Sequence, residues 1–170
     1  MNQYKPIIYS NSIYSINYKK LKEKGIKLLL FDIDNTIAKT NEYIPQNSVV
    51  NLFKKLEKNG FKIIILTNAI PSRAIRFKKH LKVDTFYLSW KPSKRNYIRI
   101  IKKYNCNVKE IAAIGDQLYT DIKGANRLGI TSILVDQLST NESIFTKINR
   151  LKEAKLIKKT KIIERGKYYD

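Results

Sequence analysis

Residues 28–40, LLLFDIDNTIAKT, set four consecutive apolar side chains directly ahead of two aspartates, Asp32 and Asp34. A short apolar run of this kind reads as a strand buried on both faces, which places the two carboxylates at its carboxyl end. Two residues apart in extended backbone, they point to the same face, where mutual repulsion raises a pKa unless a cation intervenes. The pair therefore marks a strand and, at its end, a place that calls for positive charge.

From residue 26 onward, short β-branched runs alternate with amphipathic segments, the pattern of a parallel sheet wrapped by helices. Residues 26–33, 61–67, 85–89, 110–115 and 130–135 read as strands. Between them, Asn47 or Ser48 caps a helix that carries Val50, Phe53 and Leu56 and stops at Gly60. Pro71 starts a second helix with Ala74 and Phe77 or Lys78 at successive turns, and Pro92 opens a third through Ile98 and Ile101. Residues 120–128 form a fourth, ended by Gly129. The expected architecture is α/β: a three-layer, Rossmann-like parallel sheet of about five strands with helices on both faces. No internal repeat or low-complexity tract interrupts it.

Composition bounds the partners. Lys plus Arg number 34 against 14 Asp plus Glu, a formal net charge of +20, which favours an anionic partner such as nucleic acid, acidic lipid or phosphate, or reflects a compositional bias toward Lys, Ile, Asn and Tyr. The single cysteine, Cys106, excludes an internal disulfide and a thiolate metal cluster and fits a reducing, cytoplasmic compartment. Residues 1–20 are tyrosine-rich and interrupted by polar residues, unlike a signal peptide. No apolar run approaches the roughly 20 residues of a membrane span. Residues 1–142 read as one domain with an N-terminal extension. Residues 143–170 read as a basic amphipathic helical tail, with nine Lys or Arg against three Asp or Glu and with Ile144, Ile148 and Leu151 on one stripe. That tail either packs on the sheet edge or holds the protein, as a peripheral one, against an anionic inner membrane face.

In an open α/β sheet the loops at the carboxyl ends of the strands face one crevice. The first strand ends in Asp32 and Asp34, the second in Thr67 and Asn68, the third is followed by Lys91, and the fourth ends in Gly115 and Asp116 with Asp121 close behind. Asp32, Asp34, Asp116 and Asp121 would form an oxygen-only cluster suited to Mg²⁺ beside a phosphate. Lys91 would neutralise charge, while Thr67 and Asn68 would donate hydrogen bonds to phosphate oxygens.

The order DIDNT, LTN, KP, GDQLYTD resembles the four motifs of the haloacid dehalogenase superfamily of phosphatases over residues 26–136. SIYSINYKKLKEKGIK, the SWKP around Lys91, GDQLYTDIKGANRLG and the basic tail resemble the bacterial YqeG family of capless subfamily IIIA phosphatases, related to phosphatidylglycerophosphate phosphatases. The resemblance implies Asp32 as the nucleophile that forms an aspartyl-phosphate and Asp34 as the general acid and base. It further implies Thr67 as a phosphate-binding residue, Lys91 as the neutralising lysine and Asp116 as an acidic Mg²⁺ ligand, with Asp121 either a further ligand or an outer-shell partner. Mg²⁺ would also take the main-chain carbonyl of Asp34.

Between these motifs there is room for helices and loops only, so no cap domain is expected and the site should lie open. Selectivity then falls to rim residues, with Asn68, Lys94 and Arg95 as candidates for substrate binding. The resemblance and the basic tail together suggest a lipid phosphate such as phosphatidylglycerophosphate, or another large phosphorylated substrate. The alternative is an RNA- or ribosome-associated binding protein with a weak or vestigial phosphatase site, with which the charge and eleven tyrosines are compatible. His80 reads as a surface residue, and Trp90 either shapes the rim or packs beneath it.

Overall fold

Leu28–Phe31, the central strand β2, is wholly buried and pairs in parallel on both sides. The computed structural model describes residues 3–140 and 144–170. In chain order its elements are β1 (Ile8–Ser10), α1 (Tyr18–Glu23), β2, α2 (Asn47–Lys58), β3 (Lys62–Leu66), α3 (Pro71–Leu81), β4 (Asp84–Phe86), α4 (Arg95–Tyr104), β5 (Ile111–Gly115), a π-helical turn (Leu118–Ile122), α5 (Lys123–Asn126), β6 (Thr131–Val135) and α6 (Ile144–Thr160). The strands form one sheet in the order β1-β6-β5-β2-β3-β4, every pair parallel.

The period of two along each strand divides the core into two layers. Leu29, Phe31, Ile63, Ile65, Ala112 and Ile114 face Phe53 and Leu56 of α2 and Phe77 of α3. Leu28, Leu30, Ile64, Leu66, Ile111 and Ala113 face Tyr97 and Ile100 of α4 and Ala125 of α5. Two apolar faces on one sheet require helices on both sides, which is the α/β sandwich the sequence predicts.

The sheet has six described strands where about five are expected. β1 is three residues long and set among Tyr, Asn and Ser, too short for a periodic signal. It adds to the β6 edge with Ile8 opposite Ile133. Tyr169 covers its outer side through reciprocal main-chain hydrogen bonds with Tyr9 of 2.7 and 2.8 Å. Several boundaries also move. Neither Asn47 nor Ser48 caps α2: the cap position is Gln46, whose side-chain amide donates to Glu42 instead, at 2.6 Å. Pro92 lies in the turn before α4, which buries Tyr97 and Ile100 and leaves Ile98 outside. The helix expected over 120–128 is a π turn followed by α5.

The boundary expected between residues 142 and 143 falls outside the described residues, as does the Ile144 side chain. The rest of the expected apolar stripe of α6 is turned to solvent: Ile148 is 45% and Leu151 66% exposed. Glu153 is buried instead, with Thr146, Asn149 and Arg150 partly covered on the same side. No helix among the described residues is long and apolar enough to cross a membrane.

Candidate active site

Asp32 continues the β2 ladder, its N–H donating to the Ile114 carbonyl at 3.0 Å. The chain then turns sharply. The Ile33 carbonyl accepts from the N–H groups of Thr36, Ile37 and Ala38, and Asn35 takes the left-handed conformation at φ 58°, a conformation asparagine tolerates better than bulkier residues. This turn keeps Asp32 buried and lifts Asp34 to the edge of the cleft, where its Oδ1 lies 2.8 Å from Nε of Arg73 in the first turn of α3. Arg73 is fixed in turn by the carbonyls of Lys39, at 2.9 Å, and Glu42.

At the end of β3, Thr67 is fully buried, and its Oγ1 accepts the Ala69 N–H at 3.1 Å. Asn68 bridges to the next loop: its Oδ1 accepts the Lys91 N–H at 2.7 Å, and its Nδ2 donates to the Lys91 carbonyl at 3.2 Å. The amide expected to touch substrate is thus engaged in setting the Lys91 backbone. Lys91 is buried, its Nζ 2.9 Å from Asp32 Oδ1 and 2.6 Å from Asp121 Oδ1.

β5 delivers Gly115 and Asp116, and the π turn folds Asp121 back over them. A Cβ on Gly115 would overlap the Asp121 carboxyl, so this position must be glycine if Asp121 is to lie here. Asp121 Oδ2 accepts the Gln117 N–H at 3.1 Å. Asp116, with no exposed surface, accepts the Thr36 hydroxyl on Oδ1 at 3.3 Å and the Arg150 guanidinium on Oδ2. Arg150 also donates to the Asp116 carbonyl at 2.8 Å and to Glu153 at 3.1 Å, and Glu153 accepts the Tyr119 N–H at 3.2 Å.

Each of the four site carboxylates therefore has a cation beside it, with Lys91 serving two. Burial pushes the Asp34 carboxyl above its usual range and the Asp32 charge adds to this, while Arg73 opposes it. Burial likewise raises Asp116 well above a normal carboxylate, against the pull of Arg150, and brings Asp121 up to about 6, against the pull of Lys91. For Lys91 burial acts downward, but the neighbouring Asp121 and Asp32 outweigh it and hold the ammonium charged.

Carboxylate oxygens of Asp32, Asp116 and Asp121 lie within 4.8 Å of one another and are buried, a hard, oxygen-only donor set that fits a divalent cation such as Mg²⁺. Asp32 Oδ1 also lacks an aligned hydrogen bond despite the nearby ammonium, as expected of an atom placed to take a further positive partner. The Asp34 carboxylate stands apart from this cluster, paired to Arg73.

Above these groups lies a cleft of about 350 Å³. Asp32, Asp34, Thr67, Asn68 and Lys91 line its floor, Leu88 and Trp90 one wall, and Thr146 and Asn149 of α6 contribute another part of the lining. Lys94 and Arg95 do not line it. Arg73, Arg150, Thr146 and Asn149 are the site residues that sequence reasoning misses. In a chain with 34 basic residues nothing local distinguishes the two arginines that turn inward.

Residues 40–129 match the family model of the haloacid dehalogenase-like hydrolases. The chain belongs to that family. Within this haloacid dehalogenase-like hydrolase the matched region takes in Thr67, Asn68, Lys91, Asp116 and Asp121 and begins after Asp32 and Asp34. The hydrolase is 28% identical over 152 residues to "Probable phosphatase YqeG" of Bacillus subtilis, across 89% of this chain and 88% of that protein. It is 24% identical over 151 residues to phosphatidylglycerophosphate phosphatase 1, chloroplastic/mitochondrial, of Arabidopsis thaliana, spanning 82% of this chain but only 43% of that protein. Its fold is shared with the cobalt-bound deoxy-D-mannose-octulosonate 8-phosphate phosphatase of Haemophilus influenzae, at a TM-score of 0.54 and 15% identity over 75% of this chain and 77% of that one. An uncharacterized Listeria monocytogenes protein matches at a TM-score of 0.53 and 17% identity, over 79% of this chain and 99% of that one.

Proposed function

We propose that this hydrolase is a Mg²⁺-dependent phosphatase that cleaves a phosphate monoester through an aspartyl-phosphate. One observation carries the reading: Asp32 and Asp34 share one cleft with Lys91, Asp116 is buried within 4.8 Å of Asp32, and each of these carboxylates is matched to a cation. An Asp32 oxygen attacks phosphorus as the bond from phosphorus to the ester oxygen breaks, and Asp34 gives its proton to that leaving oxygen. The raised Asp34 carboxyl is compatible with the acid role. Asp34, now a carboxylate, then takes a proton from water as the water oxygen attacks the phosphorus of the acyl phosphate, releasing inorganic phosphate and restoring Asp32.

Lys91 offsets the charge of Asp32 and of the phosphoryl oxygens, and Thr67 with the main chain after it binds those oxygens. Asp32, Asp116 and the Asp34 carbonyl would hold Mg²⁺, which supplies positive charge beside the phosphoryl oxygens when bound. Asp121, with Oδ1 on Lys91 and Oδ2 on the Gln117 N–H, serves as the residue that orients Lys91.

A lipid phosphate is the substrate class this reading favours. Supporting it, Trp90, 74% exposed, and Leu88 flank the cleft, and the exposed pair Ile148 and Leu151 on α6 sits among the exposed Lys147, Lys152 and Lys155. Apolar residues among lysines are the chemistry that meets an anionic bilayer from its surface. The similarity to a phosphatidylglycerophosphate phosphatase points the same way.

The test is phosphate release from an aryl phosphate and from phosphatidylglycerophosphate in vesicles, with Mg²⁺ or EDTA. Wild type should release phosphate in Mg²⁺ and not in EDTA, Asp32→Asn should lose at least about 10³-fold in kcat, and the lipid should be preferred. A variant as active as wild type would refute the assigned nucleophile.

A further inference from the structure

The polar side of α6 faces inward although the helix carries isoleucine and leucine to spend. Thr146, Asn149, Arg150 and Glu153 occupy the covered side at spacings of three and four residues, while Ile148 and Leu151 are left in solvent. A helix whose only task was to cover a sheet edge would turn its apolar side in. The covered side changes character along its length. Leu156 and Ile157 pack against Tyr9, Leu118 and Ile162, Arg150 and Glu153 lock onto Asp116 and the Tyr119 N–H, and the turn before them presents Asn149 and Thr146 to the cleft.

We infer that α6 is a fixed wall of the substrate cleft, and that Asn149 and Thr146 bind hydroxyl groups on the leaving group. The inference rests on the phosphatase reading for what occupies the floor, and adds what the upper cleft selects. About 350 Å³ exceeds what a phosphoryl group fills, and lies at the lower end of ligand pockets generally. Leu88 and Trp90 give the cleft an apolar part of its lining, and both are held in the left-handed conformation at φ 45° and 51°. Bulky residues seldom adopt that conformation, and its cost marks a constrained functional loop. An apolar part and an amide-and-hydroxyl part of one lining suit a glyceryl group such as the head of the proposed lipid phosphate, whose hydroxyl turns to α6 and whose carbon skeleton lies against Trp90. Asn149 supplies both a donor and an acceptor and Thr146 a hydroxyl that acts as either, so hydroxyls on the leaving group gain hydrogen bonds here that an alkyl group cannot make. The seat is rigid because Arg150 is tied at once to Asp116 and to the buried Glu153.

The experiment compares two phosphates of equal chain length, sn-glycerol 3-phosphate and n-propyl phosphate, in Mg²⁺ with the full chain. Wild type should favour the glycerol ester in kcat/KM, and Asn149→Ala and Thr146→Ala should each cut that ratio by about threefold to tenfold, the worth of a neutral hydrogen bond. A structural role alone would lower both rates together and leave the ratio unchanged. Trp90, the sole tryptophan, gives a second readout: its fluorescence, titrated with either ester in Asp32→Asn and in Asp32→Asn with Asn149→Ala, reports binding without turnover. Loss of the glycerol preference in binding, with no turnover by wild type, would uphold the α6 wall and refute the phosphatase. Turnover by wild type with the same ratio in both variants, or no preference for the glycerol ester in either readout, would overturn the α6 wall.

Discussion

At Gly115 and Asp121 a single missing Cβ sets the site. The Asp121 carboxyl occupies the volume a side chain at 115 would need, and from there it holds the Lys91 ammonium at 2.6 Å, which in turn lies 2.9 Å from Asp32. Gly115→Ala must push Asp121 outward or strain β5, at a cost of about 1–3 kcal/mol for overpacking a buried position. It should therefore lower the melting temperature. It should also cost at least tenfold in kcat, of order 1.4 kcal/mol in the barrier, measured well below the melting transition, because Lys91 loses its anchor. Full activity in a folded Gly115→Ala protein would show that Asp121 does not have to lie where it does. The GDQLYTD spacing made Asp116 and Asp121 legible in the sequence, but not why a glycine precedes them, since the π turn that returns Asp121 to residue 115 has no periodic signature. Arg73 and Arg150 were illegible for a different reason. An inward-facing arginine is recognised by its partner carboxylate, and both partners are distant in sequence.

Among the elements, β2, β3, β5 and β6 could be read because strands buried on both faces must be continuously apolar. β1 could not, and of α6 the helix was legible but not its inward side, because each is defined by what it packs against. β1 is held by β6 on one side and by Tyr169 on the other. α6 departs from the amphipathic rule because its inner side meets a polar cleft. What anchors the end of the chain is therefore the segment after α6, where Ile162 and Ile163 are buried with Tyr9, Leu118, Ile122 and Leu134. Ile163→Ala removes buried methyl groups and leaves a cavity, which should cost about 2–4 kcal/mol in urea unfolding. Leu151→Ala, on the exposed stripe that would pack on the sheet edge under one of the two sequence readings, should change stability by no more than about 0.5 kcal/mol. The reverse order of these two effects would mean that α6 packs in solution through Ile148 and Leu151.

For the whole molecule, the +20 charge is less evenly spread than the composition implies. Four of the 14 acidic residues are gathered at the site, Asp32 and Asp34 lining the cleft and Asp116 and Asp121 buried beside Asp32, and Glu153 is buried as well. The outer surface is correspondingly more basic than the total suggests, while the cleft keeps its own balance of carboxylates and cations. A field of that sign attracts any polyanion, so affinity for anionic vesicles does not by itself identify the docking face. The position of the charges does. If α6 meets the bilayer, Lys152 and Lys155 lie within a Debye length of it, about 10 Å at 0.1 M salt, and each contributes about 1 kcal/mol. Reversing both with Lys152→Glu and Lys155→Glu should then weaken binding to phosphatidylglycerol-containing vesicles by at least about 30-fold in a sedimentation assay at 0.1 M salt. The same double reversal on α4, Lys102→Glu with Lys103→Glu, changes the net charge equally and should have a much smaller effect. Equal losses from the two pairs would mean that the vesicle senses only total charge and that α6 is not the face it meets.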